Sequence, residues 1–351
     1  MSHLLSRPPE EAARLVALTQ LARAEEAAAR LADPDDAEAL HDFRVALRRL
    51  RSVLRSYRGP LAGALRKRHR KQLRDLARAT GEGRDAEVAL EWITAQRGRL
   101  EEGQQAGLDW LAALLGKRKD AGYEQAQRGL VEGFGPLAGE LQKRLGVYRR
   151  EVRLDGVGGE ASFGDLVAAE ARRDLARFEE LIAGLAAADD AARAHRSRLA
   201  AKRLRYLFEP LERELPTAGP IVKRLKKLQD LLGELNDSHT LEAELSAAVE
   251  TAAQQRARAL LGSAMTAAAG DVAGAPAGWD PVDGLLALAR LNRERRDRLF
   301  TVLSPAWTGA GEEAAERRAL ARAIGELAGY VAAGFSPPTL EDAERVPAPV
   351  P

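Results

Sequence analysis

Cationic side chains recur in this sequence at spacings that a helix would turn into a row. From His41 the chain reads H-x-x-R-x-x-x-R-R-L-R, which places Arg44, Arg48, Arg49 and Arg51 behind the histidine and Arg55 one turn further on. The pattern returns 154 residues later as His195, Arg198, Lys202, Arg203 and Arg205. Guanidinium groups keep their charge at any physiological pH and grip phosphate or carboxylate oxygens bidentately. Rows of them point to anion recognition, and the histidines in the same rows are expected to hydrogen-bond the same anion, most strongly when protonated.

The surroundings concentrate the charge further. Between His41 and Arg74 there are twelve Lys or Arg residues against one acid, Asp42; between His195 and Lys227 there are ten against Glu209, Glu212 and Glu214. The formal net charge of the whole chain is only +2. Two basic blocks in a nearly neutral protein predict localised anion sites rather than a whole-molecule field. Lys71 and Arg74 after the first block, with Lys67, and Lys223 and Lys227 after the second, with Lys226, are expected to extend the sites, and Tyr206 lies beside the second row.

Helices must carry these rows. At about 100° per residue, His41, Arg44, Arg48, Arg51 and Arg55 share an arc of about 80°, opposite Phe43, Leu47, Leu50 and Leu54, while Arg49 stands apart. In the second copy Leu204, Leu207 and Phe208 form the apolar side. Like charges at i,i+4 cost a helix about 0.2 to 0.5 kcal/mol per pair, so a face kept almost purely positive calls for an anionic partner. Evenly spaced forks, about one turn apart, suit a ligand with repeating phosphates.

The chain as a whole reads as all-α. Of its 351 residues 45% are hydrophobic, 30% charged and 5% aromatic, with Ala, Leu, Arg and Glu dominant. Periodicity predicts helices near 9–32, 37–58, 60–80, 85–117, 120–150, 163–187, 189–214, 217–235, 238–270, 281–303 and 311–334. An offset of 154 also pairs Asp36 with Asp190, in acidic caps ahead of the two basic helices, and an offset of 152 pairs Asp85 with Asp237. The duplication predicts two antiparallel helical bundles related by a pseudo-twofold, with a basic channel between them: a first half over 1–154, a Gly-rich joint over 155–164, a second half over 165–335 and a disordered Pro-rich tail over 336–351. The Ala/Gly/Pro-rich 268–281 reads as a second loop.

Other chemistries find little here. With no cysteine there is no disulfide, thiolate nucleophile or Cys-ligated zinc. No P-loop, G-x-S-x-G or H-E-x-x-H is present. His41-Asp42 resembles the start of an HD-type metal-dependent phosphohydrolase, but the second copy has His195-Arg196, and dense positive charge opposes a metal. Asp85 and Asp237 are read as N-caps of new helices, and His3, His69 and His239 show no ligand spacing. No cofactor, metal or catalytic residue is expected, and hence no enzyme. Neither a signal peptide nor a run of eighteen apolar residues occurs, which predicts a cytoplasmic protein with no membrane partner. Nucleic acid would leave the same basic footprint, and non-specific nucleic-acid binding is the competing reading; the basic faces lack the stacking aromatics and the Asn or Gln that read bases.

The doubled histidine helix, the KRLRY of Lys202 to Tyr206 and the LQDLLGELND of Leu228 to Asp237 closely resemble the CHAD family, the conserved histidine α-helical domain. The resemblance spans about residues 8 to 335. It implies two four-helix bundles in pseudo-twofold arrangement, basic helices lining a central channel, binding of inorganic polyphosphate and association with polyphosphate granules. The E-x-E-x-K strand of the triphosphate-tunnel domain that accompanies many members is absent, so no catalytic activity by that route is implied. The first copy reads ATGEGRD where the second reads LLGELND, so the turn at Gly81 is expected to be shaped differently.

Overall fold

A computed structural model describes residues 4–31, 33, 36, 38–148, 161–215, 217–266 and 281–332. Ten α-helices make up these residues, joined by turns and short 3-10 segments, and no strand occurs among them. The first five are α1 (Pro9–Arg30), α2 (Ala39–Ser56), α3 (Lys67–Ala79), α4 (Glu82–Ala95) and α5 (Gln105–Gly146). The second five are α6 (Phe163–Ala183), α7 (Ala191–Phe208), α8 (Ala218–Thr266), α9 (Pro281–Leu303) and α10 (Ala315–Ala332). Most of the glycine-rich joint, the 268–281 loop up to residue 280 and the Pro-rich tail lie outside the described residues.

Helix α1 packs on α2, α2 on α3, α3 and α4 on α5, and α5 back on α1. In the second set α6 packs on α7, α7 on α8, α8 on α9 and α10, and α10 back on α6. Across the two sets the contacts run α1 to α6, α2 to α7, α4 to α8 and α5 to α9. The apolar arcs read from the sequence are the buried ones: Phe43, Leu47, Leu50 and Leu54 of α2 and Leu204, Leu207 and Phe208 of α7 all enter one large core. A second core at the other end gathers Ile93, Leu108, Leu111 and Leu115 with Leu241, Leu245, Leu285 and Leu288. Residues of both halves thus fill each core.

Several predicted boundaries move. The breaks expected near 118 and near 236 do not exist: α5 runs unbroken for 42 residues and α8 for 49. The chain breaks instead at Arg97–Gln104, in two 3-10 turns, while the break expected at Gly81 is present, at Thr80–Gly81. Lys117, Arg118 and Asp120 lie on the outer face of α5. Leu228, Leu232 and Leu235 sit in the large core and Leu241, Leu245 and Ala248 in the second, so α8 is held on both sides of Gly233 and continues through it. The difference between ATGEGRD and LLGELND is therefore a helix break in one copy and an uninterrupted helix in the other. Gly83 has a packing reason: a Cβ there would come within 3.1 Å of the α5 backbone at Lys119 and Tyr123. The N-cap reading fails for Asp85, which lies in the first turn of α4, and for Asp237, which is inside α8. Asp190 does cap α7, accepting from the Arg193 amide at 2.9 Å, whereas its counterpart Asp36 grips the Arg30 guanidinium at 2.7 Å.

Candidate anion-binding cleft

Where α2, α3 and α7 meet, the chain leaves a cleft of about 620 Å³. Arg48, Arg51, Arg55 and Arg58 enter it from α2 and the turn behind it, Arg70 and Arg74 from α3, and Lys202 and Arg203 from α7. No carboxylate lines it. Ser52, Ser56, Leu54, Leu73, Leu199 and Tyr206 complete the wall. Among the described residues only Arg74 of the eight cations forms an ion pair, with its neighbour Asp75 at 3.8 Å. The Nε atoms of Arg70 and Arg203 are buried without a hydrogen-bond partner, as are those of Arg198 and Arg205 beside the cleft.

The helices explain this assembly. The apolar arcs of α2 and α7 are pinned in the core, so the opposite arcs must turn toward the space between them. Tyr57, fully buried at the end of α2, donates its hydroxyl to the Leu207 carbonyl at 3.4 Å and ties the two helices together. Lys202 is half-buried; desolvation, with Arg198, Arg48 and Arg205 adding repulsion and Asp237 opposing, pushes its amine down to about 7. Desolvation also lowers Arg44, Arg51, Arg198 and Arg203 from the ordinary arginine range; neighbouring cations add to it, opposed by Asp85 at Arg44, Asp237 at Arg198 and Asp174 at Arg203. Unpaired, partly desolvated cations are held here at a cost that an anion would relieve.

Not every predicted residue reaches this cleft. Arg44 and Arg198 lie beside it, in a mixed cluster with Asp85 and Asp237. There desolvation and Asp237 raise the Asp85 carboxyl while Arg44 and Arg198 oppose them. Arg205 lies over the Tyr206 ring at 4.8 Å from its centroid. His41 and His195 are exposed and outside the cleft lining. His195 places Nδ1 2.8 Å from Asn236 Oδ1. An Asn oxygen only accepts, so the proton sits on Nδ1, and Nε2 donates to an anion only when the ring is doubly protonated. Lys67 and Lys71 are exposed on α3 and Lys223, Lys226 and Lys227 on α8, all outside the lining. Arg49 points elsewhere, donating to Glu209 at 2.7 Å. Arg58 and Arg70 complete the cleft: Arg70 belongs to the basic face of α3 that follows the first block, whereas Arg58 lies beyond H-x-x-R-x-x-x-[RK]-R-L-R and is not marked by the repeat. Tyr206 is 97% buried with its hydroxyl unpartnered, at the cleft wall.

Among the described residues no cluster of three or more His, Cys, Asp or Glu is placed to hold a metal, and Asp42 of the His41-Asp42 pair is bound to Arg30. Nor is any described helix long and apolar enough to cross a membrane.

Comparison with solved structures finds the same architecture in the CHAD domain from the plant Ricinus communis, with a TM-score of 0.58 and 22% identity over 86% of this chain and 93% of that one. PptA from Streptomyces chartreusis matches with a TM-score of 0.58 and 18% identity over 84% of this chain and 99% of that one. No curated protein matches the sequence. The CHAD domain family model matches residues 13–246, a span that holds both histidine helices and the whole cationic cleft, and the chain belongs to that family.

Proposed function

We propose that this protein binds inorganic polyphosphate in the cleft between α2, α3 and α7. The observation that carries the reading is a lining of eight cations and no carboxylate, contributed by three helices. Each exposed charge pair contributes only about 0 to 1 kcal/mol, so tight binding requires a ligand that engages many at once. A linear chain of phosphates does this, and its affinity should rise with length as successive phosphates are held at high effective concentration. The family resemblance supports the same ligand. The cluster of Arg44, Arg198, Asp85 and Asp237 beside the cleft and the exposed lysines of α3 and α8 give a longer chain further cations to follow. The function proposed is retention of the ligand without turnover, in the cytoplasm and in association with polyphosphate granules.

The test is competition at fixed salt among long-chain polyphosphate, orthophosphate, single-stranded DNA and duplex DNA. Polyphosphate should displace the others, and equal or tighter binding of DNA would overturn the ligand assignment in favour of nucleic acid. Orthophosphate release during incubation with polyphosphate would contradict the absence of turnover.

A further inference from the structure

We propose that Lys202 is a modification site: the cleft recruits a small acyl phosphate by its phosphate, and the Lys202 amine takes the acyl group. The inference rests on the phosphate-binding reading of the cleft and adds a second chemistry to it.

Position argues first. Among the cations lining the cleft, seven are guanidiniums and Lys202 alone is an amine. Its repeat counterpart, 154 residues earlier, is Arg48. A guanidinium holds an anion but does not deprotonate and is not acylated under these conditions; an amine does both. Among the cations of the lining, Lys202 is therefore the one that can lose its proton and act as a nucleophile.

The surroundings then decide its state. Arg48 from α2, Arg198 and Arg205 from its own helix and Asp237 from α8 act on the amine, while Arg70 and Arg74 of α3 face the same cavity. Partial burial and three cations, opposed only by Asp237, bring it down to about 7. An ordinary lysine, with a pKa of about 10.4, offers about a thousandth of its population as free amine near pH 7.4. Lys202 offers most of its own. Desolvation beside another cation is a recognised way of activating a lysine nucleophile.

The cleft also suits the leaving group. The neutral Nζ attacks the carbonyl carbon of the acyl phosphate, forming the C–N bond. The bond between the acyl carbon and the bridging oxygen breaks, orthophosphate departs with the electron pair, and the proton lost from nitrogen passes to water. Arg48 and its neighbours are placed to hold the dianionic phosphate as its charge develops. The product is an amide that cannot take up a proton beside a polyanion, so one cationic contact is lost and polyphosphate should bind several-fold more weakly. Bound polyphosphate should in turn shield the amine.

The experiment uses the full chain and acetyl phosphate, followed by peptide mass spectrometry between pH 6 and 9. Lys202 should acetylate about tenfold faster than exposed Lys67, Lys71 and Lys223 near pH 7.5. Long-chain polyphosphate should slow Lys202 and spare Lys67. With p-nitrophenyl acetate, an uncharged donor, the preference should shrink several-fold, and Arg48→Leu should slow the acetyl phosphate reaction more than the ester reaction. A rate at Lys202 no faster than at the exposed lysines, or an equal preference with both donors, overturns the proposal. Polyphosphate binding is measured separately on the untreated chain and on Lys202→Arg, which keeps the charge and removes the amine. Selective acetylation without polyphosphate binding would sink the function proposed above and leave this inference standing; the reverse pattern would do the opposite.

Discussion

At the scale of single residues, adjacent positions in one basic run have different jobs. Arg48 lines the cationic cleft, whereas Arg49 crosses to Glu209 at the end of α7. That pair is partly exposed, so Arg49→Ala should cost about 0 to 1 kcal/mol in thermal or denaturant unfolding and leave polyphosphate affinity unchanged. Arg48→Ala should weaken polyphosphate binding in the competition assay with little change in stability; matching losses for the two variants would mean that the cleft is misplaced. Lys202 carries the pH dependence. Its amine, pushed down to about 7 in the free protein, is re-protonated beside a polyanion, which favours the charged form. Binding above pH 7 should therefore take up a proton, and affinity should fall as pH rises from 7 toward 9. Calorimetry in buffers of different ionisation enthalpy reads the proton, and Lys202→Arg should remove it. In the unliganded protein the sign for folding runs the other way: the unfolded lysine keeps its proton to about pH 10.4, so the Lys202 contribution makes stability rise with pH above 7.

At the scale of helices, the sequence made the apolar arcs and the duplicated basic arcs legible because each is a local periodic pattern. Phe43, Leu47, Leu50 and Leu54 are buried where the wheel places them. Breaks and close approaches were less legible, since they depend on what lies across the interface. The break expected near 236 does not occur, because the two cores that flank this stretch carry α8 straight through it. Gly107 and Gly284, with no motif around them, are where α5 and α9 cross: a Cβ on Gly107 would come within 2.7 Å of Gly284 Cα, and one on Gly284 within 2.9 Å of Gly107 Cα. Backbone meets backbone there, so no side chain can give way. Gly284→Ala should destabilise by about 1 to 3 kcal/mol in chemical denaturation while leaving the distant cationic cleft functional. His69 was read as a residue without a ligand role, and it supports a helix instead. It is fully buried at the start of α3, with Nδ1 accepting from the Arg66 amide at 3.3 Å and Nε2 lying 3.1 Å from Glu140. His69→Leu removes these contacts, together with that of Arg68 Nε on His69 Nε2 at 3.3 Å, and should cost about 1 to 3 kcal/mol. Because α3 supplies Arg70 and Arg74, some polyphosphate affinity should be lost with it.

At the scale of the whole molecule, the net charge of +2 conceals a cleft carrying eight cations, and that separation makes salt the decisive variable. The anchoring charges come from both halves of the chain, with α2 and α3 on one side and α7 on the other, while both cores are filled from both halves. The helices that line the cleft are therefore positioned by one shared interior, and neither half of the chain alone carries the complete cleft. Replacing Arg44, Arg48, Arg198 and Lys202 together with Glu changes the local charge from four cations to four anions. All four are exposed or half-buried, so the helical fold should persist by circular dichroism. Polyphosphate binding should then disappear, because the chain would meet repulsion where each half now contributes attraction. In the unaltered protein the logarithm of the affinity should fall linearly with the logarithm of salt concentration, as counterions released from the polyanion are recaptured. Single Arg→Ala changes in the cleft should reduce that slope by about one each, whereas Arg49→Ala should not. A steep slope in the parent that survives the fourfold reversal would place the polyanion on another face of the molecule.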